Sequence, residues 1–137
     1  MIQNSTIFTC RIHWQGTDNT DSDTFVRRHE VTLPGGQSVI GGAAHNVQSP
    51  VQTNPEELFT ASVGTCMMLT ILAVFSRAQI PVLAYEDRPA ALLEKVERRF
   101  SVTKVTLRPR ITLQGTHDRE KLDNLMSKSH ANCFRTP

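Results

Sequence analysis

The chain has 137 residues, a length typical of one domain, and its 39% hydrophobic and 20% charged content is ordinary for a globular protein. Its formal net charge is only +2, and no basic run is longer than two residues, so the sequence does not favour nucleic acid as a partner. We predict a single domain over residues 1–137.

The cysteine count and the amino terminus bear on the compartment. Three cysteines, an odd number, do not match the framework of a disulfide-rich secreted protein. The first twenty residues alternate polar and apolar side chains and lack the charged start and apolar run of a signal peptide. We therefore expect a cytoplasmic protein.

Three strands are predicted ahead of the first helix. Thr6 to Gln15 alternates and is rich in β-branched and aromatic residues, as a half-buried strand does. Phe25 to Leu33 forms a second strand, closed by Pro34-Gly35-Gly36, and Ser38 to Ile40 forms a third. These segments predict a three-stranded meander.

The next segment carries strong helix signals. Asn54 can cap the helix, Pro55 suits the first helical position because it has no N–H to satisfy, and Glu57 lies where a capping box places its acid. The eighteen residues from Leu58 to Phe75 are uncharged, which predicts a long central helix buried on all sides. This length is the lower bound for a membrane span, but the stretch contains small polar residues, so we predict a core helix and no membrane.

The remainder of the chain reads as strands followed by a helix. Val82 to Arg99 and Phe100 to Leu113 predict two long strands, with Pro109 at an edge or a bulge. A turn that ends at Asp118 then opens a helix that reaches about Cys133. Its predicted buried face carries apolar and small residues at helical spacing: Leu122, Leu125, Met126, Ser129 and Cys133. The order βββ-α-ββ-α indicates an α+β fold.

Two cysteines could carry chemistry, because Cys66 lies inside the first predicted helix and Cys133 at the end of the second. Reduction of a peroxide requires a thiolate, and burial disfavours the anion, so a reactive cysteine needs a cationic or hydrogen-bond donor neighbour. Glu56 precedes Cys66 by ten residues, about 15 Å along a continuous helix, so contact requires a break near Gly64 or a bridging arginine.

Other roles for the same residues stay open. Each cysteine could instead be a small core residue, which is the more common role. His130 lies three residues before Cys133 on one helix face, so it could help to ionise or protonate a sulfur. His130, Cys133 and Cys66 could also supply three zinc ligands, but no Cys-x-x-Cys pair accompanies them. We predict no metal and no cofactor.

Several motifs together resemble a known family, the osmotically induced protein C and organic hydroperoxide resistance (OsmC/Ohr) proteins. The motifs occur in the family's order, and the likeness extends from about residue 6 to the end of the chain. They are Asn54-Pro55-Glu56-Glu57-Leu58 followed by Cys66, Ala84-Tyr85-Glu86-Asp87, Val105-Thr106-Leu107-Arg108-Pro109 and Ser129-His130-Ala131-Asn132-Cys133-Phe134.

The resemblance implies a fold, an assembly and an activity. The fold would have a central helix and two small antiparallel sheets, in an intertwined homodimer with active sites at the subunit interface. The activity would be thiol-dependent reduction of organic hydroperoxides, with a dihydrolipoyl-type dithiol as reductant. Cys66 would be the peroxidatic cysteine, Cys133 the resolving cysteine that forms a disulfide with it, and Glu56 the acid that orients an arginine.

This chain departs from the family pattern at two places. The family's arginine lies upstream of the first helix, where residues 35–53 contain no arginine and His45 is the basic residue. Arg28 or Arg27 is the nearest substitute, and only one of them can face the helix because strand side chains alternate; we assign Arg28. Family members also continue past the late cysteine into a closing strand, which we expect to be absent here. The competing interpretation is a non-catalytic dimeric scaffold or small-molecule-binding domain with both cysteines packed.

Overall fold

A computed structural model of the chain describes residues 4–16, 27–42 and 52–133. These residues form three strands, a long helix, four further strands and a second helix. The chain divides into two compact units, residues 1–58 and residues 59–137. A single OsmC-like domain over the whole chain stays a prediction.

The first unit contains a three-stranded antiparallel sheet. Its strands pair in the order β1-β2-β3, with the bounds Arg11–His13, His29–Thr32 and Ser38–Gly41. The turn between β2 and β3 is closed by the Leu33 N–H, which donates to the Gln37 carbonyl at 2.8 Å. Gly36 adopts φ +90° in this turn, a conformation that glycine tolerates best. The predicted meander is confirmed, although β1 is much shorter than predicted and is exposed instead of half-buried. β2 begins only at His29, so Arg27 and Arg28 precede the strand to which the sequence analysis assigns them.

Helix α1, Pro55–Arg77, begins as the sequence predicts. The Glu57 N–H donates to Asn54 Oδ1 at 2.8 Å, and the Asn54 N–H donates to Glu57 Oε1 at 3.2 Å. This reciprocal pair is the predicted capping box, which satisfies two N–H groups that lack partners inside the helix. The helix then continues without a break past Gly64.

The second unit contains four strands where the sequence analysis predicts two. Their bounds are Val82–Glu86 for β4, Ala90–Val96 for β5, Arg99–Thr106 for β6 and Arg110–Leu113 for β7. β4 pairs with β7 and β5 with β6, both antiparallel. Each long predicted strand is interrupted by a segment that ends in proline, Pro89 or Pro109, which cannot donate to a sheet. The described order is therefore βββ-α-ββββ-α with three small sheets, which corrects the predicted βββ-α-ββ-α with two.

Helix α2, Arg119–Asn132, follows the turn that the sequence predicts. Asp118 is the N-cap residue, but its side chain makes no capping hydrogen bond. Leu122, Leu125 and Met126 are half-buried against the core, and Ser129 is fully buried. The predicted buried face of this helix is confirmed.

The core of the second unit lies at the carboxyl-terminal end of α1. Its fully buried apolar residues are Ile71, Val74, Phe75 and Ile80, and side chains from β4, β7 and α2 pack around them. These neighbours cover only one stretch of the helix, since Leu69 remains 58% exposed. The prediction of a helix buried on all sides is therefore wrong for the single chain. The length and composition of α1 would also allow it to cross a membrane, but the core helices of many proteins share that length and composition.

Candidate active site

The two helix-borne cysteines meet in the second unit. Cys66 Sγ and Cys133 Sγ lie 3.2 Å apart, although 67 residues separate them in the sequence. Both side chains are half-buried and both are thiols, since a disulfide bond would hold the sulfurs at about 2.05 Å. The two thiols are therefore in contact, and oxidation could join them as a disulfide.

Helix packing explains how these distant residues come together. Cys133 is the C-cap residue of α2, where the chain leaves the helix with φ −62° and ψ 137°. The buried face of α2 docks on the core formed by α1, and this docking carries the end of α2 to the middle of α1. Contact between the thiols thus follows from the docking of α2 on α1.

A cavity of about 870 Å³ lies beside the two sulfurs. Its walls come from one face of α1, one face of α2 and the end of β6 with the segment after it. The α1 residues recur at the i, i+3, i+4, i+7 and i+8 spacing of a single helix face. The lining residues are Phe59, Ser62, Val63, Cys66 and Met67 on α1, Met126, His130 and Cys133 from α2 and its cap, and Val105, Leu107 and Pro109.

The chemistry of these walls is largely apolar. Seven of the eleven lining residues are hydrocarbon, thioether or proline side chains, and His130 is the basic residue among those described. The volume lies within the range of small-molecule sites, roughly 300–1,000 Å³. Such a cavity can hold an apolar organic molecule against two thiols, with an imidazole as the nearby ionisable group.

The helical turn that carries Cys66 is fixed by two contacts. Gly64 is buried, and a Cβ at this position would lie 2.6 Å from Pro89 Cγ, so only glycine permits this approach. On the other side of the cysteine, Thr70 Oγ1 donates to the Cys66 carbonyl at 2.9 Å. The α1 backbone next to Cys66 is therefore held by close packing of the β4–β5 connection on the helix.

The remaining predicted site residues belong to the first unit. Arg28 is exposed immediately before β2, and Glu56 is half-buried in the first turn of α1. Their roles toward the thiols stay predictions. Because α1 is continuous past Gly64, the helix break that would let Glu56 contact Cys66 directly does not occur. His45 lies outside the described residues.

The structure also bears on the zinc alternative. Within residues 4–16, 27–42 and 52–133, no three His, Cys, Asp or Glu side chains are grouped to hold a metal ion. His130 and the two cysteines therefore do not form the ligand set that the sequence spacing allowed.

Sequence reasoning missed most of the cavity wall. Val63, Met67 and Met126 were not assigned to the site, and neither were the residues that follow β6. The signal on α1 was available, since Val63 and Met67 continue the spacing of Phe59, Ser62 and Cys66. The contribution of Val105, Leu107 and Pro109 depends on tertiary packing and has no comparable local signal.

Comparison with known proteins identifies the family. A sequence model described as OsmC-like protein matches residues 48–136. The chain belongs to the OsmC-like protein family. It is 23% identical over 126 residues to the peroxiredoxin OsmC of Escherichia coli strain K12, an alignment that covers 89% of this chain and 86% of the relative.

Solved structures of OsmC/Ohr proteins share the fold. An OsmC-like protein of unknown function from Vibrio cholerae is 28% identical, with a TM-score of 0.82 over 95% of this chain and 91% of that one. The organic hydroperoxide resistance protein OhrB of Bacillus subtilis is 22% identical, with a TM-score of 0.60 over 92% and 86% of the two chains. The α+β, OsmC-like fold predicted from the sequence is confirmed.

Proposed function

We propose that this protein is a thiol-dependent peroxidase that reduces organic hydroperoxides to alcohols. The observation that carries the proposal is the 3.2 Å contact between Cys66 Sγ and Cys133 Sγ in the wall of an apolar cavity. Membership of the OsmC-like family supports it, as do relatives named peroxiredoxin and organic hydroperoxide resistance protein.

The proposed reaction uses each sulfur once. The Cys66 thiolate attacks the terminal oxygen of the hydroperoxide, the O–O bond breaks, and the alkoxide takes a proton to leave as the alcohol. Cys66 becomes a sulfenic acid. The Cys133 thiolate then attacks this sulfur, water leaves, and a disulfide forms. An external dithiol of the dihydrolipoyl type restores both thiols by exchange.

The position of the sulfurs suits the second step. Bridging requires Cα atoms about 4.4–6.8 Å apart, and two side chains already in sulfur contact need little backbone movement to bond. A sulfenic acid on Cys66 would therefore meet Cys133 before it meets a second peroxide. This order protects Cys66 from irreversible oxidation to a sulfinic acid.

The apolar walls suit organic hydroperoxides better than hydrogen peroxide. Burial of an apolar group stabilises a complex by about 25 cal/mol per Å² of surface, and hydrogen peroxide has no such surface to bury. Phe59, Val63 and Leu107 offer this contact in the cavity. We expect a lower KM for cumene hydroperoxide than for hydrogen peroxide.

The test of the function compares cysteine variants in a coupled peroxide assay with a dihydrolipoyl dithiol. Cys66→Ser should reduce peroxide consumption to the rate without protein, because the attacking sulfur is lost. Cys133→Ser should accumulate sulfenic acid on Cys66 instead of a disulfide. Cys10→Ser is the matched control, since Cys10 is exposed and should leave the rate unchanged. A Cys66→Ser variant as fast as the parent would leave the non-catalytic scaffold as the better interpretation.

The group that stabilises the thiolate needs its own test. We propose Arg28, oriented by Glu56, for this role, and His130 is the other basic candidate because it lines the cavity. Arg28→Ala should slow alkylation of Cys66 at neutral pH, whereas Arg27→Ala, which removes the neighbouring guanidinium, is the matched control and should not. If His130→Gln slows alkylation and Arg28→Ala does not, the imidazole takes this role instead.

We also propose that the protein acts as a homodimer. Large apolar side chains are exposed on the single chain, among them Ile7 at 89%, Phe8 at 81% and Phe100 at 71%. Soluble monomers rarely expose many such groups, and a second copy would cover them. Light scattering should give the mass of two chains. A monomer that retains full peroxidase activity would contradict this proposal.

A further inference from the structure

Two methionines line the cavity beside the thiols. Met67 directly follows Cys66 on α1, and Met126 lies seven residues before Cys133, two helical turns away along α2. Both are half-buried and pack against the core. Their thioether sulfurs are therefore part of the wall against which an organic hydroperoxide would be held.

Resting on the function proposed above, we propose that Met67 and Met126 are modification sites, oxidised to sulfoxides by the protein's own hydroperoxide substrate. A thioether is a soft nucleophile with an accessible lone pair. Once Cys66 and Cys133 are joined as a disulfide, neither thiol can reduce a newly bound peroxide. The thioethers then lie next to the bound oxidant with no competing thiol in the described wall.

The reaction balances without any further reagent. The methionine sulfur attacks the terminal oxygen of the hydroperoxide, the O–O bond breaks, and an S–O bond forms. The sulfur loses two electrons, the peroxide gains them, and the proton of the terminal hydroxyl passes to the leaving alkoxide. The products are a methionine sulfoxide and the same alcohol that the thiol reaction yields.

Sulfoxide formation would change the cavity. It replaces an apolar, flexible thioether with a polar group, and a polar group buried without hydrogen bonds is unfavourable. Because both residues also pack on the core, the cavity would bind apolar peroxides less well after oxidation. Peroxide in excess over reductant would therefore weaken the site, and methionine sulfoxide reductases could reverse the change.

The chain offers a matched internal control. Met68 is half-buried like Met67 and lies on the same helix, but it does not line the cavity. Preference for Met67 over Met68 thus separates cavity binding from general exposure to oxidant. Hydrogen peroxide supplies the second control, because it reaches sulfur without using an apolar cavity.

The experiment treats the Cys66→Ser/Cys133→Ser double variant with cumene hydroperoxide or hydrogen peroxide and assigns sulfoxides by peptide fragmentation. The parent, first converted to its disulfide form, serves if the double variant does not fold. We expect the sulfoxide ratios Met67 to Met68 and Met126 to Met68 to be several-fold higher with cumene hydroperoxide. Equal ratios for the two peroxides would overturn the proposal.

This result is independent of the peroxidase assay, because the double variant has neither reactive thiol. Failure of the proposed function would show as a parent that does not consume peroxide, whatever the methionines do. Failure of the methionine proposal would show as unselective sulfoxides in a chain whose parent is an active peroxidase.

A second experiment measures the loss of peroxidase activity caused by excess peroxide. After prolonged excess cumene hydroperoxide and re-reduction with dithiol, the parent should have a raised KM, and methionine sulfoxide reductase should restore it. Met67→Leu/Met126→Leu should keep a larger share of its own starting kcat/KM. Over-oxidation of Cys66 to a sulfinic acid would not respond to the reductase, so lack of rescue together with equal losses in both proteins would contradict the proposal.

Discussion

The two ends of helix α1 differ sharply within the second unit. At the carboxyl-terminal end Ile71 is 0% and Phe75 2% exposed, enclosed by the strands and by α2. In the amino-terminal half Phe59 is 38% exposed and lines the cavity beside Cys66. The same apolar composition thus yields a sealed core at one end and an open wall at the other.

The difference shows that hydrophobic content alone does not decide which part of a helix becomes core. Side chains from β4, β7 and α2 close over the far end, and this contact also positions the end of α2. The amino-terminal half of α1 is not covered in this way, and the cavity lies there beside Cys133. Stability should therefore depend mostly on one end of α1 and chemistry on the other.

The largest expected effect compares two phenylalanines on this helix. Phe75→Ala should lower the free energy of unfolding by about 3–5 kcal/mol, because it leaves a cavity in a filled core. Phe59→Ala should cost no more than about 1 kcal/mol, since its ring is already partly exposed. Urea unfolding measures both. Equal losses would show that the two ends do not differ in packing.

A substitution at the close contact near Cys66 should have an intermediate effect. Gly64→Ala places a methyl group against Pro89 and should cost about 1–3 kcal/mol of unfolding free energy through overpacking. Thr65→Ala is the matched control, because it also raises helix propensity but changes an exposed position, and it should stay within about 0.5 kcal/mol of the parent. A stabilised Gly64→Ala variant would contradict the contact.

The capping box gives a smaller effect at the start of the same helix. Asn54→Ala removes the acceptor of the Glu57 N–H and should cost about 1 kcal/mol of unfolding free energy. Asn54→Ser keeps an oxygen acceptor and should retain most of the stability. Thermal unfolding of the parent and the two variants measures the order of their stabilities. If Ser and Ala variants are equally destabilised, the side-chain cap does not stabilise the helix.

The smallest expected effect is the pH dependence of stability that comes from Tyr85, which packs against the buried core at the carboxyl-terminal end of α1. Burial, and secondly the negative charge of Asp87, raise the pKa of Tyr85 above 10.0. Its neutral form therefore stabilises the fold at lower pH, and this contribution is lost as the pH rises through the folded-state pKa. Tyr85 is the only tyrosine in the sequence, so phenolate absorbance reports it alone.

The titration should reach its midpoint above 10.0 in the folded protein and near the ordinary value of about 10 in urea. Asp87→Asn should lower the folded midpoint only partly, since burial is the larger cause. A folded midpoint at or below the midpoint in urea would show that the core at the carboxyl-terminal end of α1 does not bury the Tyr85 ring.

Local signals predicted the fold well wherever one short segment decides the outcome. The Asn54 to Glu57 capping box and the buried face of α2 were both visible in the sequence. The strands were predicted too long because alternation continues across segments that end in Pro89 and Pro109, and only pairing partners reveal where the ladders stop.

The site was predictable in its parts and not in its assembly. Cys66 and Cys133 stood out by position on helices, yet their contact spans 67 residues and arises from helix docking, which no local pattern encodes. The exposed face of α1 could not be foreseen either, because an uncharged run is equally compatible with burial on one side or on all sides.

The most direct measurement is a disulfide map of the parent protein after a stoichiometric amount of cumene hydroperoxide, made by non-reducing digestion and mass spectrometry. We expect a peptide pair joined through Cys66 and Cys133 within one chain, formed at the expense of both thiols and accompanied by release of the alcohol. A Cys66 oxidised to a sulfinic acid with Cys133 still a thiol, or two unmodified thiols with the peroxide intact, would contradict it.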